Sequence, residues 1–270
     1  MENLYSKYKI IADYHTHTTY SHGKGSIEDN VKKAIEKGLK TLAITDHGSK
    51  HFIFGVSEKK LLKQKEEIKL ISEKYPDFQL LFGVESNITG IGGGYDITSG
   101  FEQNFDIILC GFHKPVWADK LSDYTDIFYN SYSKYLYAPT NEQIAKNTKA
   151  YINLIKTKPI DIISHINYHL KVDIKEVAKA ASDYGVAIEV SSRHSDCTEE
   201  DYEALFASKA MLTLNSDAHK PESVGNIDKA LEIVNKYDVD PKRIINSEYC
   251  EFKFKSRIKW VSVQILNRKY

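Results

Sequence analysis

Seven short apolar runs alternate with helix-like stretches along the chain, at residues 9–14, 40–45, 78–84, 105–112, 160–164, 186–190 and 211–214. Apolar runs of this length, bounded by polar residues, suit buried strands. Helix starts are marked between them. Ser26 with Asp29, Thr140 with Gln143 and Thr198 with Asp201 read as capping boxes, and Ser57 and Asp173 as single caps. Val31, Ala34, Ile35 and Leu39 recur at helical spacing, as do Leu61, Leu62, Ile68 and Ile71. Gly38 and Gly185 are stops, and a last helix is expected over 223–236. Strands alternating with helices imply right-handed βαβ units and a parallel sheet. Seven such units predict an α/β fold with a closed or nearly closed barrel at residues 1–245.

Three stretches depart from this rhythm. Residues 88–100 carry Gly90, Gly92, Gly93 and Gly94 and read as a loop or an irregular hairpin. A phosphate-cradling loop is disfavoured there, because no Lys-Ser/Thr pair follows and no helix opens. Residues 117–137 are rich in aromatics, including Tyr124, Phe128 and Tyr132, and read as core, subunit contact or one wall of a cleft. Residues 246–270 form a C-terminal extension in which Phe252 and Phe254 alternate with charges. It is expected to pack on the barrel or to make an edge hairpin. Its basic residues with Trp260 leave a nucleic-acid contact as the less favoured alternative.

Composition narrows the function classes. Thirty-seven basic residues balance 37 acidic ones, so bulk charge gives no reason to expect nucleic acid or a membrane surface as partner. No apolar run approaches a membrane span, and the polar segment 1–8 has no signal-peptide core. Cys110, Cys197 and Cys250 are odd in number and widely spaced. That fits neither a disulfide framework nor a metal knuckle, and a reduced cytoplasmic setting is the expectation.

The chemistry lies where the runs end. His15 and His17 are two apart in an extended segment, so both imidazoles can face one ion. Alone, the pair reads equally well as structural. His47, Glu85, His113, His165, Asp217 and His219 stand at the ends of other runs, and His22 follows on the first loop. In βα barrels the active site is built from strand C-termini and the loops after them. Seven of the chain's ten histidines fall on that one face with two carboxylates.

The motifs that carry these residues resemble those of the polymerase-and-histidinol-phosphatase (PHP) superfamily. They are His15-Thr16-His17 with His22, Thr45-Asp46-His47-Gly48, Gly83-Val84-Glu85, Gly111-Phe112-His113-Lys114-Pro115, Ser164-His165 and Asn215-Ser216-Asp217-Ala218-His219. The resemblance spans about residues 9–220 and is nearest to the stand-alone phosphatase branch. It implies a distorted (β/α)7 TIM-like barrel with three divalent transition-metal ions, Zn, Mn or Fe. It assigns His15, His17, Glu85 and Asp217 to a first ion. Glu85 then bridges to a second ion with His113 and His165, and His22, His47 and His219 take the third. Imidazole and carboxylate donors without thiolate agree with such metals.

Three divalent ions would attract an anion, acidify bound water and clamp an in-line displacement at phosphorus. The expected activity is a metal-dependent phosphoesterase using a metal-activated hydroxide on a small phosphomonoester, with inorganic phosphate as product. Glu85 and Asp217 serve catalysis through the metals. Arg193 is placed to grip a phosphate oxygen and His194 to protonate the leaving group. Lys114 is a further phosphate contact, and Asp46 is expected to orient an imidazole from behind. His51 and His169 are non-ligand residues able to line the pocket. The rivals are a phosphodiesterase or nuclease acting on nucleic-acid ends, and a non-catalytic module that keeps metals for stability.

Overall fold

The computed structural model describes residues 2–128, 138–194 and 196–255. Its strands are β1 (Ala12–Asp13), β2 (Thr41–Ile44), β3 (Gln79–Gly90), β4 (Gly94–Tyr95), β5 (Ile107–Gly111), β6 (Ile162–Ile163), β7 (Ala187–Ser191) and β8 (Met211–Asn215). Seven of them pair in parallel in the order β1-β2-β3-β5-β6-β7-β8. β4 folds back antiparallel on β3, so the glycine-rich stretch is an irregular hairpin. Helices Ile27–Glu36, Glu58–Lys74, Asn141–Thr157, Ile174–Tyr184, Glu199–Ala207 and Asp228–Lys236 lie between or after the strands. The fold is the expected α/β barrel, parallel and nearly closed.

Local chemistry sets the helix ends. Ser26, Thr140 and Thr198 each accept from the backbone three residues on, and each donates its own backbone N–H to that residue's side chain, which completes the box. Asp173 caps Ile174–Tyr184, and Gly185 ends it at φ 62°. Ser57 precedes its helix without a side-chain capping bond. The predicted last helix is broken in two. Pro221–Ser223 is a 3-10 turn, Gly225 takes φ 70°, and the α-helix begins only at Asp228. A helix cannot run through that left-handed residue, whose N–H donates instead to Asp13 Oδ2 over 3.0 Å. Glu2–Tyr8 also forms a helix, a stretch to which the sequence reading gave no element.

The seam between β8 and β1, which do not pair as strands, is spanned in two ways. At the site end, His17 N–H donates to Ala218 O (2.8 Å) and Ala218 N–H to His15 O (3.3 Å). At the opposite end the segment 244–246 wedges between the strands. Ile245 N–H donates to Leu212 O and Ile11 N–H to Asn246 O. The buried Asn246 side chain accepts from Leu214 N–H and donates to the carbonyls of Ala12 and Leu214.

The core has two parts. Between strands and helices lies a large layer that includes Val31, Leu42, Ile44, Phe82, Ile108, Leu154, Ile188 and Leu231. Inside the barrel a smaller cluster stacks Ala12, Tyr14, Ala43, Leu81, Ile107, Leu109, Ile162 and Ala187. Phe254 joins it from the tail, edge-on to Tyr14 with centroids 5.2 Å apart. Residues 251–254 thus run as an irregular segment rather than as a strand of an edge hairpin, with one aromatic buried under the barrel. Trp260 and the aromatics from Tyr129 to Tyr137 lie outside the described residues.

Candidate metal centre

Parallel register brings the strand ends level. His47 and Glu85 face each other across an isolated parallel bridge, and Glu85 lies beside Leu109 of β5. Glu85 is buried, and five imidazoles surround its carboxylate. Oε1 lies 3.2 Å from His15 Nε2, 3.3 Å from His113 Nε2 and 2.8 Å from His165 Nε2. Oε2 lies 3.4 Å from His17 Nε2 and 3.3 Å from His47 Nδ1. Ser164 Oγ donates to Oε1 as well.

Asp217 faces the same point from two residues past the end of β8. Its Oδ1 is 3.4 Å from His17 Nε2 and 3.7 Å from His15 Nε2. Its φ of 51°, and the φ of 22° at His165, turn these two side chains from strand ends at some backbone cost. His22 and His219 meet Nε2 to Nε2 on the far side of His17, and the rings of His17 and His219 are 4.3 Å apart. His17, His22, His47 and His219 form one group able to hold a cation. His15, His17 and Glu85 form another, and His47, Glu85 and His113 a third. Every residue predicted as a ligand is therefore gathered in one place.

Nine histidines line a cavity of about 170 Å³ together with Glu85, Lys114, Arg193, Asp217 and Phe54. His15 sits buried beneath them, so all ten histidines of the chain belong to this region.

Groups behind the imidazoles fix which nitrogen faces inward. His15 Nδ1 is 2.8 Å from Glu189 Oε1, and an ionised carboxylate only accepts, so Nδ1 carries the hydrogen. Asn87 Nδ2 donates to Asp96 Oδ2 (2.6 Å), which leaves Asn87 Oδ1 to accept from His113 Nδ1 (2.7 Å). In each neutral ring the Nε2 lone pair then points into the centre. His15 and His17 bring their Nε2 atoms within 3.2 Å, and His113 and His165 within 3.0 Å. Facing lone pairs at such distances repel unless a cation or a proton lies between them.

The spacing fits a metal. With bonds of 2.0–2.1 Å, two ligand atoms on a tetrahedral ion stand about 3.3–3.4 Å apart. The separations among His15, His17, Glu85 and Asp217 run from 3.2 to 3.7 Å. The Nδ1 atoms of His17, His22 and His47 are buried without a hydrogen-bond partner among the described residues. Imidazole and carboxylate donors suit Zn, Mn or Fe.

The protein's own charges are strongly perturbed. Burial would raise the Glu85 carboxyl, but the imidazoles of His113, His15 and His165 outweigh it and hold it well below the usual range. Asp217 is likewise buried, yet His15 and His17 bring it to about 2. Burial pulls His17 down, and Asp217 and Glu85 more than reverse this, lifting it to about 9. His22 is lowered to about 4, chiefly by burial and the nearby His17.

The remaining predicted residues flank the centre. Arg193 lines the cavity, its Nη1 donating to the Asp217 carbonyl (3.3 Å) and touching His219 Nδ1. His194 stacks on Tyr168 with centroids 3.7 Å apart, and its Nε2 is 3.4 Å from Asp217 Oδ2. Burial, with His165 and Arg193 nearby, takes it to about 4 against the pull of Asp217, so it is neutral at pH 7. Asp46 stands 3.9 Å from His17 Nδ1 and spends its hydrogen bonds on Thr18, Ser21 and Gln64, pinning the first loop. Gly48 is required beside it, because a Cβ there would strike the Asp96 carboxylate.

Sequence reasoning missed Glu189, Asn87 and Asn215. Glu189 accepts from His15 Nδ1, His165 N–H and Asn215 Nδ2. The signal was present: a carboxylate interrupts Val186-Ala187-Ile188-Glu189-Val190, and a lone charge in a buried parallel strand needs a partner.

Comparison with known proteins places the chain in a family. The PHP domain family model matches residues 13–251. A protein named probable phosphatase from Shewanella loihica (strain ATCC BAA-1088 / PV-4) is 30% identical over 254 residues, covering 88% of this chain and 90% of that one. Another probable phosphatase, from Thermoanaerobacter sp. (strain X514), is 29% identical over 261 residues, covering 91% and 94%. Among solved structures, the histidinol phosphate phosphatase of Lactococcus lactis subsp. lactis Il1403, complexed with zinc, L-histidinol and phosphate, shares the fold. Its TM-score is 0.57 at 19% identity, over 83% of this chain and 92% of that one. With its histidine-rich strand ends, its parallel barrel and a match over most of its length, the chain belongs to the PHP domain family.

Proposed function

We propose that the protein is a metal-dependent phosphatase that hydrolyses a small phosphomonoester at the ten-histidine centre. The single observation that carries this reading is the set of Nε2 atoms and carboxylate oxygens converging around Glu85 at ligand-to-ligand distances. His15, His17, Glu85 and Asp217 would hold one divalent ion. Glu85, His113 and His165 would hold a second, and His22, His47 and His219 a third. Bound there, zinc, manganese or iron would supply concentrated positive charge and lower the pKa of water at the site.

The chain's own residues do the rest. Glu189 and Asn87 keep His15 and His113 in the tautomer that points Nε2 inward. Arg193 edges the cavity beside Asp217, where its planar fork suits two phosphoryl oxygens. His194 is neutral, so a hydrogen bond to the leaving oxygen suits it better than the store of an acidic proton. The cavity, at about 170 Å³, is smaller than a drug-sized pocket and suits a terminal phosphoryl group whose leaving group points outward. This favours a monoester over an internal position in a nucleic-acid strand. Histidinol phosphate, the substrate class that the Lactococcus name implies, is one member of the class to be tested.

The test is phosphate release by ion-loaded protein from p-nitrophenyl phosphate, nucleoside monophosphates and histidinol phosphate, set beside single-stranded DNA. Turnover of a monoester with intact DNA supports the reading. Degraded DNA with intact monoesters would replace it by a nuclease.

A further inference from the structure

His51 lines the same cavity, on the loop after β2, with its ring stacked on His47 at 5.0 Å and 6.1 Å from His113. Its hydrogen bonding is the reverse of that at His15 and His113. In those rings Nδ1 gives a hydrogen. In His51 it receives, from the backbone N–H of Phe54 over 3.0 Å and of Ile53 over 3.3 Å. A peptide N–H can only donate, so Nδ1 carries a lone pair and the neutral ring has its hydrogen on Nε2.

The turn that imposes this is itself held. Gly55 N–H donates to His51 O (2.9 Å), Phe52 N–H to Pro115 O (3.0 Å) and Trp117 N–H to Lys50 O (3.0 Å). His51 also pairs with Val116 across an antiparallel bridge. The proton position is therefore set by the main chain. A nitrogen bearing hydrogen cannot ligate a cation, which separates His51 from the seven imidazoles around it that can. Among the described residues nothing accepts from Nε2, which leaves the donor for a group entering the cavity.

We propose that His51 is a substrate-binding residue whose Nε2–H, fixed by the peptide N–H groups of Ile53 and Phe54, holds a phosphoryl oxygen and takes no part in ion binding. The assignment rests on the phosphate-ester reading of the cavity. A neutral donor suits this place, because a lysine there would add positive charge beside a centre built to hold cations.

The test begins with zinc-loaded wild-type protein labelled with 15N, in which two-bond 1H–15N correlations report the tautomer of His51. The expected result is the Nε2–H form, and an Nδ1–H form would overturn the proposal without any variant. Two substitutions follow. His51→Phe keeps a ring against His47 and removes the donor, and His51→Gln restores an N–H near the position of Nε2. Both are expected to keep the wild-type ion content. His51→Phe should bind inorganic phosphate about tenfold more weakly by calorimetry, with KM for p-nitrophenyl phosphate rising in step, and His51→Gln should recover most of the loss. Loss of ions from His51→Phe, or unchanged phosphate binding, would overturn it. If wild-type protein hydrolyses no ester but binds phosphate in a His51-dependent way, the phosphatase reading fails and the His51 assignment stands.

Discussion

His15 Nδ1 and Glu189 Oε1 lie 2.8 Å apart at the bottom of the histidine cavity, both fully buried. Glu189 also accepts from the backbone N–H of His165, so one carboxylate orients the imidazole of His15 and holds the main chain of His165, residues assigned to two different ions. Glu189→Gln keeps the shape and removes the charge. We expect it to fold, to lose about 10- to 100-fold in metal affinity and to lose activity in proportion. Ion content after graded chelation, read beside kcat, checks this. Wild-type retention of ions would remove Glu189 from the centre.

Asn87 is the corresponding support for His113, and it is tied to the buried Asp96. Asn87→Ala strips both of a partner. Leaving buried polar groups unpaired costs about 1–3 kcal/mol each. The expected outcome is a lower Tm together with weakened binding of the ion that His113 serves. A fall in Tm with ion affinity intact would make Asn87 purely structural.

The seam between β8 and β1 depends on Asn246, which bonds Leu214 N–H, Leu214 O and Ala12 O. Asn246→Leu should destabilise the barrel by about 3 kcal/mol. For a domain of this size that is a fall in Tm of roughly 6–12 °C. Thermal melts of ion-free protein measure it directly. A shift below 2 °C would mean that the wedge contributes little.

Ion uptake should release protons. In the ion-free protein, Asp217 and Glu85 overcome the effect of burial and raise His17 to about 9. The sign runs two ways. The stabilising effect of that protonated imidazole on the ion-free fold is complete below the unfolded value of about 6.5 and is lost as pH rises through 9. An ion needs the lone pair, and His15 is likewise raised well above its ordinary value by Glu85, Glu189 and Asp217 against burial, so binding strengthens as pH rises toward 9. Calorimetric titration at pH 7 in two buffers of different ionisation enthalpy should show proton release. Identical heats in both buffers would contradict it.

What could be read in advance depended on how local the signal was. Thr140 with Gln143 and Thr198 with Asp201 announce helices because a cap and its partner are three residues apart. Eight of the nine proposed ligands were visible because they end apolar runs, and His22 because it follows on the first loop. Gly225 was not expected to break the last helix, since its partner, Asp13, is 212 residues away. Phe254 alternates with charges as a strand residue would, yet it is drawn under the barrel by the aromatic face of Tyr14. The tautomer of His51 depends on two backbone N–H groups that only a folded turn brings to its ring.

The central claim is that ions held around Glu85 make this chain a phosphatase. Protein stripped by a chelator and titrated with zinc or manganese, while p-nitrophenyl phosphate hydrolysis is followed, tests it most directly, with Glu85→Gln run in parallel. The account predicts that activity is absent after stripping, returns as ions bind, and does not return in Glu85→Gln. Full activity in the stripped protein or in Glu85→Gln, or an ion-loaded wild type that releases no phosphate, would contradict it.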